Sequence, residues 1–367
     1  SNGHLPPVAT LPKCSASNGH LPAVQVTAMR RLRDTGLQMT RLDTLALREN
    51  VSLSVADVLT QHSTLFIKSY GRATESTAEF RGTSPSHTQV LWNGMRINSP
   101  MLGTMDFSLI PSYFVDDATL YHGASSLAVT DGGLGGAIEL RTRSSAQEGL
   151  RGQYVQGIGS YETFDQFLRL SYQSGRHWSA STRLSYGTSE NDFRYTNYDK
   201  KVDERDAQAG IVRSYHPRER NRSGYFDDIN LMQDVAYNDL RGNRWGAIVW
   251  CTTSKRGLPF LSVDYKDDSD FKNEQTLTAV RSVATYDHTA SQWNIGFKAG
   301  YAHQNLGYDY HTTRADVQTD ITRSRSYVNT VFLQATADLL PAPGWMLTAS
   351  AATYYNHVRS WDRSPFH

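Results

Sequence analysis

The chain has 367 residues, with 37 Lys and Arg against 36 Asp and Glu and a hydrophobic content of 39%. That near-neutral balance, with no basic block, argues against nucleic acid as a partner, and no run of about 18 apolar residues exists to cross a membrane as a helix. A transmembrane β-barrel is not excluded, because it hides its lipid face in every second residue, and 20 Tyr, 13 Phe and 7 Trp suit one.

In chain order, residues 1–22 read as a flexible arm in which Ser-Asn-Gly-His-Leu-Pro occurs at Ser1 to Pro6 and again at Ser17 to Pro22. Cys14 lies in this arm and Cys251 ends an apolar run, and two cysteines are too few for a disulfide framework, so both are expected as free thiols. Lys13 before Cys14 argues against lipid attachment there, and without a charged segment leading into an apolar one any secretion signal is expected to be gone already. Ala23, Val24, Gln25, Val26, Thr27 and Ala28 form a short strand-prone piece able to pair with any exposed sheet edge. From Asn50 to about Thr142 the texture is a compact α/β mixture. Val55, Val58 and Leu59 share one helical face behind a Ser54 cap, and Val90-Leu91-Trp92 is a strand entering a tight Asn93-Gly94 turn.

Gly132, Gly133, Gly135 and Gly136 then run into the alternating segment Ala137 to Thr142. A dinucleotide loop follows a strand and opens a helix, whereas these glycines precede a strand and lack the G-x-G-x-x-G spacing, so nucleotide binding is not the reading.

After about Gly149 the pattern changes to long alternating segments. Phe164, Leu168, Leu170 and Tyr172 share one face against Asp165, Arg169, Ser171 and Gln173; Trp178, Ala180, Thr182, Leu184 and Tyr186 oppose Ser179, Ser181, Arg183 and Ser185; Trp293, Ile295, Phe297, Ala299 and Tyr301 oppose Asn294, Gly296, Lys298 and Gly300. Trp178 to Tyr186 and Trp293 to Tyr301 each span ~27 Å of strand, or ~20 Å of height at a barrel tilt of ~40°, close to the apolar band between aromatic girdles. Half-buried strands of a large antiparallel domain are the plainer alternative. Long charged loops at Ser189 to Ser223 and Asp264 to Glu274, against a tight turn at Ser174-Gly175-Arg176, have the asymmetry of an outer-membrane barrel.

Three stretches carry a family resemblance. Phe80 to Asn98 (FRGTSPSHTQVLWNGMRIN) and Leu109 to Arg143 (LIPSYFVDDATLYHGASSLAVTDGGLGGAIELRTR) resemble the plug domain of TonB-dependent outer-membrane receptors, and Ala23 to Ala28 resembles the TonB box. Arg81-Gly82-Thr83 with Ser86-His87 is similar to the cobalamin receptors of that family, while Ala128-Val129-Thr130 departs from its aromatic-Gly pair. The resemblance implies an N-terminal α/β plug domain inside an antiparallel transmembrane β-barrel in the bacterial outer membrane. Its divisions would be an arm at 1–22, a TonB box at 23–28, a plug at 29–143 and the N-terminal part of the barrel at 144–367. It implies active import, driven by a TonB-type inner-membrane energy complex pulling on the box, of a cobalamin-like ligand, with a ferric siderophore or haem as alternatives and a surface lipoprotein lid by analogy.

Apical plug residues Tyr70, Arg72, Ser99, Met101 and Leu102 are the expected ligand contacts, mixing amphipathic and apolar surface. No cofactor is expected. Asp264, Asp267, Asp268 and Asp270 offer the hard oxygens that Ca²⁺ takes, but lack the EF-hand glycine, and a solvated acidic loop is the plainer reading. Two rival classes remain. An enzyme would have to rest on Ser86-His87 or Asp116-Asp117, with no nucleophile elbow, H-E-x-x-H or C-x-x-C in support, and a passive porin or adhesin needs neither box nor plug.

The residues after Arg143 parse into roughly nine strands, the last from Trp345 to about Tyr355, with Arg359 to His367 read as a loop. Plugged transporters use about 22 strands, so the barrel is expected to be incomplete in this chain and a second chain is expected to supply the remainder.

Overall fold

The computed structural model describes residues 37–42, 47, 54–69, 74–80, 82–130, 135–143, 147–206, 210–259, 270–314, 317–342 and 344–363. The first part is built from β1 (Met39–Arg41), α1 (Val55–His62), β2 (Phe66–Ser69), β3 (Ser76–Glu79), β4 (Thr88–Trp92), β5 (Met95–Arg96), β6 (Asp117–His122) and β7 (Gly136–Arg141). Asp57 on α1 accepts from the Ser54 backbone amide at 3.1 Å and from its hydroxyl at 2.9 Å, holding the first turn closed. The helix buries Val55, Ala56, Val58 and Leu59, the face its spacing predicts. Five strands form one sheet in the order β1-β6-β7-β4-β5, with β4 parallel to β7, and β2 and β3 make a separate hairpin. Asn93 and Gly94 turn β4 into β5 with φ of +50° and +90°, the double positive φ that Asn-Gly accepts most readily.

The glycine run has a concrete steric role where it is described. Gly136 opens β7 at φ +144°, and a Cβ there would stand 2.5 Å from the Tyr121 carbonyl oxygen and 2.7 Å from the Phe80 ring. A Cβ on Gly135 would meet Thr83 Oγ1 at 2.7 Å, so β7 enters the sheet under a roof only bare backbone fits. Gly132 and Gly133 lie outside the described residues. Gly136→Ala is expected to destabilise this domain by roughly 3 kcal/mol through strain and overpacking. Hydrogen exchange should show it as faster exchange at β6 and β7 amides; wild-type protection in the variant would remove the close-packing explanation.

The second part is a wall of β8 (Gly149–Gly159), β9 (Thr163–Ser174), β10 (Trp178–Ser189), then four short loop strands β11 (Arg194–Thr196), β12 (Val202–Asp206), β13 (Gly210–Tyr215) and β14 (Arg218–Arg220), then β15 (Phe226–Asn238), β16 (Asn243–Gly257), β17 (Asp270–Thr289), β18 (Trp293–Arg314), β19 (Val317–Ala342) and β20 (Trp345–Arg363). Nine of these pair in one antiparallel sheet, β8-β9-β10-β15-β16-β17-β18-β19-β20, the number the sequence predicts. The connections at one end are short, at 175–177, 239–242 and 290–292, while the other end carries the long connection 190–225 beside the short turn at 160–162.

Pairing sets the faces. Trp178↔Tyr237, Ala180↔Val235, Leu184↔Leu231 and Tyr186↔Ile229 line one surface, and Ser181↔Asp234 and Arg183↔Met232 line the other. Leu184, Ile229, Leu231 and Val235 are exposed while Arg183, Ser181 and Asp234 are buried, inverting the arrangement of a soluble sheet. Near the short-turn end Trp178, Tyr237, Trp245, Tyr286 and Phe297 form a continuous row of rings on the outer face, with centroids 4.6, 5.6, 5.5 and 6.4 Å apart. This is an aromatic girdle of a membrane wall.

The final strand corrects one expectation. β20 does not stop near Tyr355; it continues to Arg363, with Arg359↔Tyr327, Trp361↔Arg325 and Arg363↔Arg323 in register. The segment lacks apolar alternation, but β19 extends far beyond the apolar band and offers an unbroken ladder, and backbone pairing there is indifferent to whether the outer side chains are charged.

Candidate functional site: the plug against the wall

The first domain packs on the concave face of the wall, and three kinds of contact fix it. Apolar contacts come first: Trp92 and Phe114 approach Trp250 at ring distances of 5.5 and 6.0 Å, Tyr113 stacks on Phe167 at 4.1 Å, and Phe332 is fully buried. Burial also pushes the Tyr113 phenol up to about 12, with the Asp165 carboxylate adding to the shift, so this contact stays uncharged across the physiological range.

A buried ionic latch comes second. Asp116 accepts from Arg183 Nη2 at 2.5 Å and from Arg169 Nη1 at 3.3 Å, and the Arg183 side chain has no solvent exposure. Arg183 also donates to the Tyr113 carbonyl at 2.9 Å and the Arg143 carbonyl at 3.0 Å, so one wall arginine gathers two segments of the inner domain. Arg143 bridges Asp117 at 2.6 Å. Sequence reasoning met Asp116 and Asp117 only as a weak catalytic pair; the structure turns them into anchors. The other catalytic suggestion fares no better, because the Ser86 hydroxyl bonds Ser84 at 2.9 Å, not His87.

The third contact lies toward the long loops. Arg256, the penultimate residue of β16 at that end, donates to Asp106 at 2.5 Å and Ser108 at 3.0 Å. Just before them runs the loop of Ser99, Met101 and Leu102. It is rigidly founded: Asn98 donates to the Thr88 and Gly103 carbonyls at 2.9 and 2.8 Å and accepts from the Val90 amide at 2.7 Å. The sequence marks Asn98 only as the end of the Phe80 to Asn98 stretch and not as an anchor, since an asparagine after a strand announces only a turn. On this base Met101 and Leu102 stand 49% and 62% exposed, and Met101 Sδ accepts from Ser326 of β19 at 2.9 Å. Between plug and wall a cavity of about 110 Å³ has a mixed lining that includes Asp57, Tyr113, Val155, Phe167, Phe226 and Asp228. It is too small for a bulky ligand.

Of the other expected contacts, Tyr70 and Arg72 lie outside the described residues, as do Arg81 and the strand-prone piece Ala23 to Ala28. Asp264, Asp267 and Asp268 also lie outside them, and Asp270 begins β17; among the described residues no three His, Cys, Asp or Glu side chains cluster closely enough to hold a metal.

A small α/β domain latched inside an outward-apolar antiparallel wall defines a plugged outer-membrane barrel. The comparisons agree, for residues 31–137 match the TonB-dependent Receptor Plug Domain family. Residues 31–137 are thus a plug domain of the TonB-dependent receptor type, and the chain as a whole is similar to those receptors. It is 25% identical over 257 residues to a protein named vitamin B12 transporter BtuB of Photobacterium profundum, covering 69% of this chain and 35% of that one. A BtuB of Vibrio vulnificus is 27% identical over 116 residues, 32% of this chain and 18% of that one. Among solved structures, the siderophore receptors PiuA and PirA of Acinetobacter baumannii share the fold at TM-scores of 0.60 and 0.61, with 12% and 13% identity. They are covered to 46% and 49%, with 88% and 91% of this chain aligned. The copper transporter OprC aligns at a TM-score of 0.59 and 13% identity over 85% of this chain and 45% of its own. The chain therefore spans half or less of the length of each of these relatives.

Proposed function

We propose that this receptor actively imports a bulky, scarce nutrient across the outer membrane, that the ligand is cobalamin or a related cobamide, and that the protein is no enzyme. The observation that carries the import reading is the latched plug. Among the described residues Trp92 and Phe114 pack on Trp250 and Asp116 is clamped by Arg183, so moving the plug off this wall to admit a bulky solute would take work. Ala23 to Ala28 supplies the handle, a strand-prone piece that an inner-membrane energy complex grips by edge pairing. A passive porin has no use for either feature. The cobamide reading is supported by similarity to two vitamin B12 transporters and by the Arg81 to His87 stretch, with Tyr70, Arg72, Ser99, Met101 and Leu102 as its contacts. The solved siderophore receptors share only the fold. A surface lipoprotein lid rests on resemblance alone.

Among the described residues no strand pairs the outer edge of β8 or of β20, and unpaired backbone in hydrocarbon costs several kcal/mol per group, so further strands are proposed to pair both edges in the membrane. Strands of a second chain and strands of one longer polypeptide would make the same hydrogen bonds; copurification from the outer membrane tells them apart.

A binding titration of the receptor tests the ligand. Cobalamin is expected to bind tightly, and Met101→Glu with Leu102→Glu to weaken it on the order of tenfold through lost apolar contact. Tight binding of a ferric siderophore with no measurable affinity for any cobamide would overturn the assignment.

A further inference from the structure

Among the described residues the wall buries three arginines, Arg183, Arg256 and Arg281. Two of them meet a plug carboxylate, Asp116 for Arg183 and Asp106 for Arg256. Arg281 of β17 meets none: among the described residues no carboxylate bridges it, and its guanidinium lies over the Trp250 ring, 4.8 Å from the centroid. The plug covers this spot, since Trp92 and Phe114 pack on the same Trp250. Register sets Arg281 level with Ala302, one lumen row above Gly300, where a Cβ would stand 2.8 Å from Met95 Sδ of the plug. The lumen-facing carboxylates nearby stand off. Asp234 and Asp228 of β15 are two strands away, one row below and two rows above, and Asp287 of β17 and Asp338 of β19 lie three and four rows toward the short-turn end.

A guanidinium sealed in this way loses hydration that one ring contact returns only in part, and an apolar side chain of similar size would pack on Trp250 without that loss. The seated plug therefore gives the charge no use. With the plug moved off Trp250, Arg281 would be uncovered beside that ring, with the stacked pair Phe332 and Tyr354 one row below. We infer that Arg281 is a transit site for an anionic group of the imported ligand, met once the plug has moved. This role rests on the cobamide reading proposed above, on which the group is the phosphodiester that joins the corrin side chain to the nucleotide base. The guanidinium fork donates two hydrogen bonds to phosphate oxygens, and the rings receive the apolar remainder of the ligand. Lys298 of β18, whose side chain lies against Gly94 of the plug, stands two rows further toward the short-turn end and offers the next positive charge.

The test measures surface binding and initial uptake separately in cells carrying the receptor, for cobalamin, for cobinamide, which lacks phosphate and base, and for cobinamide phosphate, which lacks only the base. Arg281→Gln is expected to leave binding of all three unchanged and to slow uptake of cobalamin and cobinamide phosphate about fivefold, with cobinamide uptake unaffected. Arg281→Lys keeps a cation and is expected to retain most of the rate. Should Arg281→Gln fail to reach the membrane, Arg281→Met, which packs on Trp250 without a buried polar group, makes the same comparison. Equal slowing of cobinamide would overturn the inference by marking a general effect on the plug, and so would unchanged uptake of all three. A wild-type receptor that imports none of the three would overturn the cobamide reading itself, and the phosphate assignment with it.

Discussion

A receptor carrying Val26→Pro is expected to hold its ligand at the cell surface and fail to import it, with uptake reduced tenfold or more. Val26 sits centrally in the strand-prone piece Ala23 to Ala28. A grip made by edge pairing uses the backbone N–H and C=O groups of alternate residues, so nearly any side chain is tolerated and a missing donor is not. Proline removes that donor and fixes φ near −65°, bending the chain away from an extended partner. The plug and the loop of Met101 and Leu102 lie elsewhere, so equilibrium binding of labelled cobalamin to whole cells should stay unchanged. Val26→Thr keeps the donor and should transport normally. Wild-type uptake by the proline variant would remove the box from the account.

The second large effect is expected at Asp116. Truncation to Ala leaves Arg183, fully enclosed, without its carboxylate, and Arg169 loses the same partner. Breaking a buried pair on one side costs about 3–5 kcal/mol, most of it the penalty of an uncompensated buried charge. Replacing both members together, Asp116→Leu with Arg183→Met, removes that penalty and is expected to recover most of the loss. Urea unfolding and limited proteolysis should both show a loosened plug in the single variant, and cells carrying it should become permeable to bulky antibiotics. A single variant as stable and as tight as wild type would mean that the latch is incidental to the seal.

Much of this was readable in advance because the wall obeys a period of two. The faces of Trp178 to Tyr186 and of Trp293 to Tyr301 follow from alternation alone, and the aromatic spacing marked the membrane band before any pairing was known. The plug was legible through local chemistry: the Ser54 cap, the Asn93-Gly94 turn, and glycines whose need lay in the carbonyl of Tyr121 and the ring of Phe80. The latch was not. Asp116 and Arg183 are 67 residues apart, and nothing in either neighbourhood signals that one is buried against the other. The extension of β20 to Arg363 escaped for a related reason, since its support is the ladder offered by β19 and not its own composition. Arg359 and Trp361, read as loop, are thereby placed on the outer wall.

On the proposed function, opening the plug takes work supplied from outside this protein. The most direct measurement follows labelled cobalamin in cells expressing the receptor, before and after a protonophore collapses the proton gradient. Surface binding is expected to persist while accumulation stops; accumulation continuing at its original rate without the gradient would contradict the account.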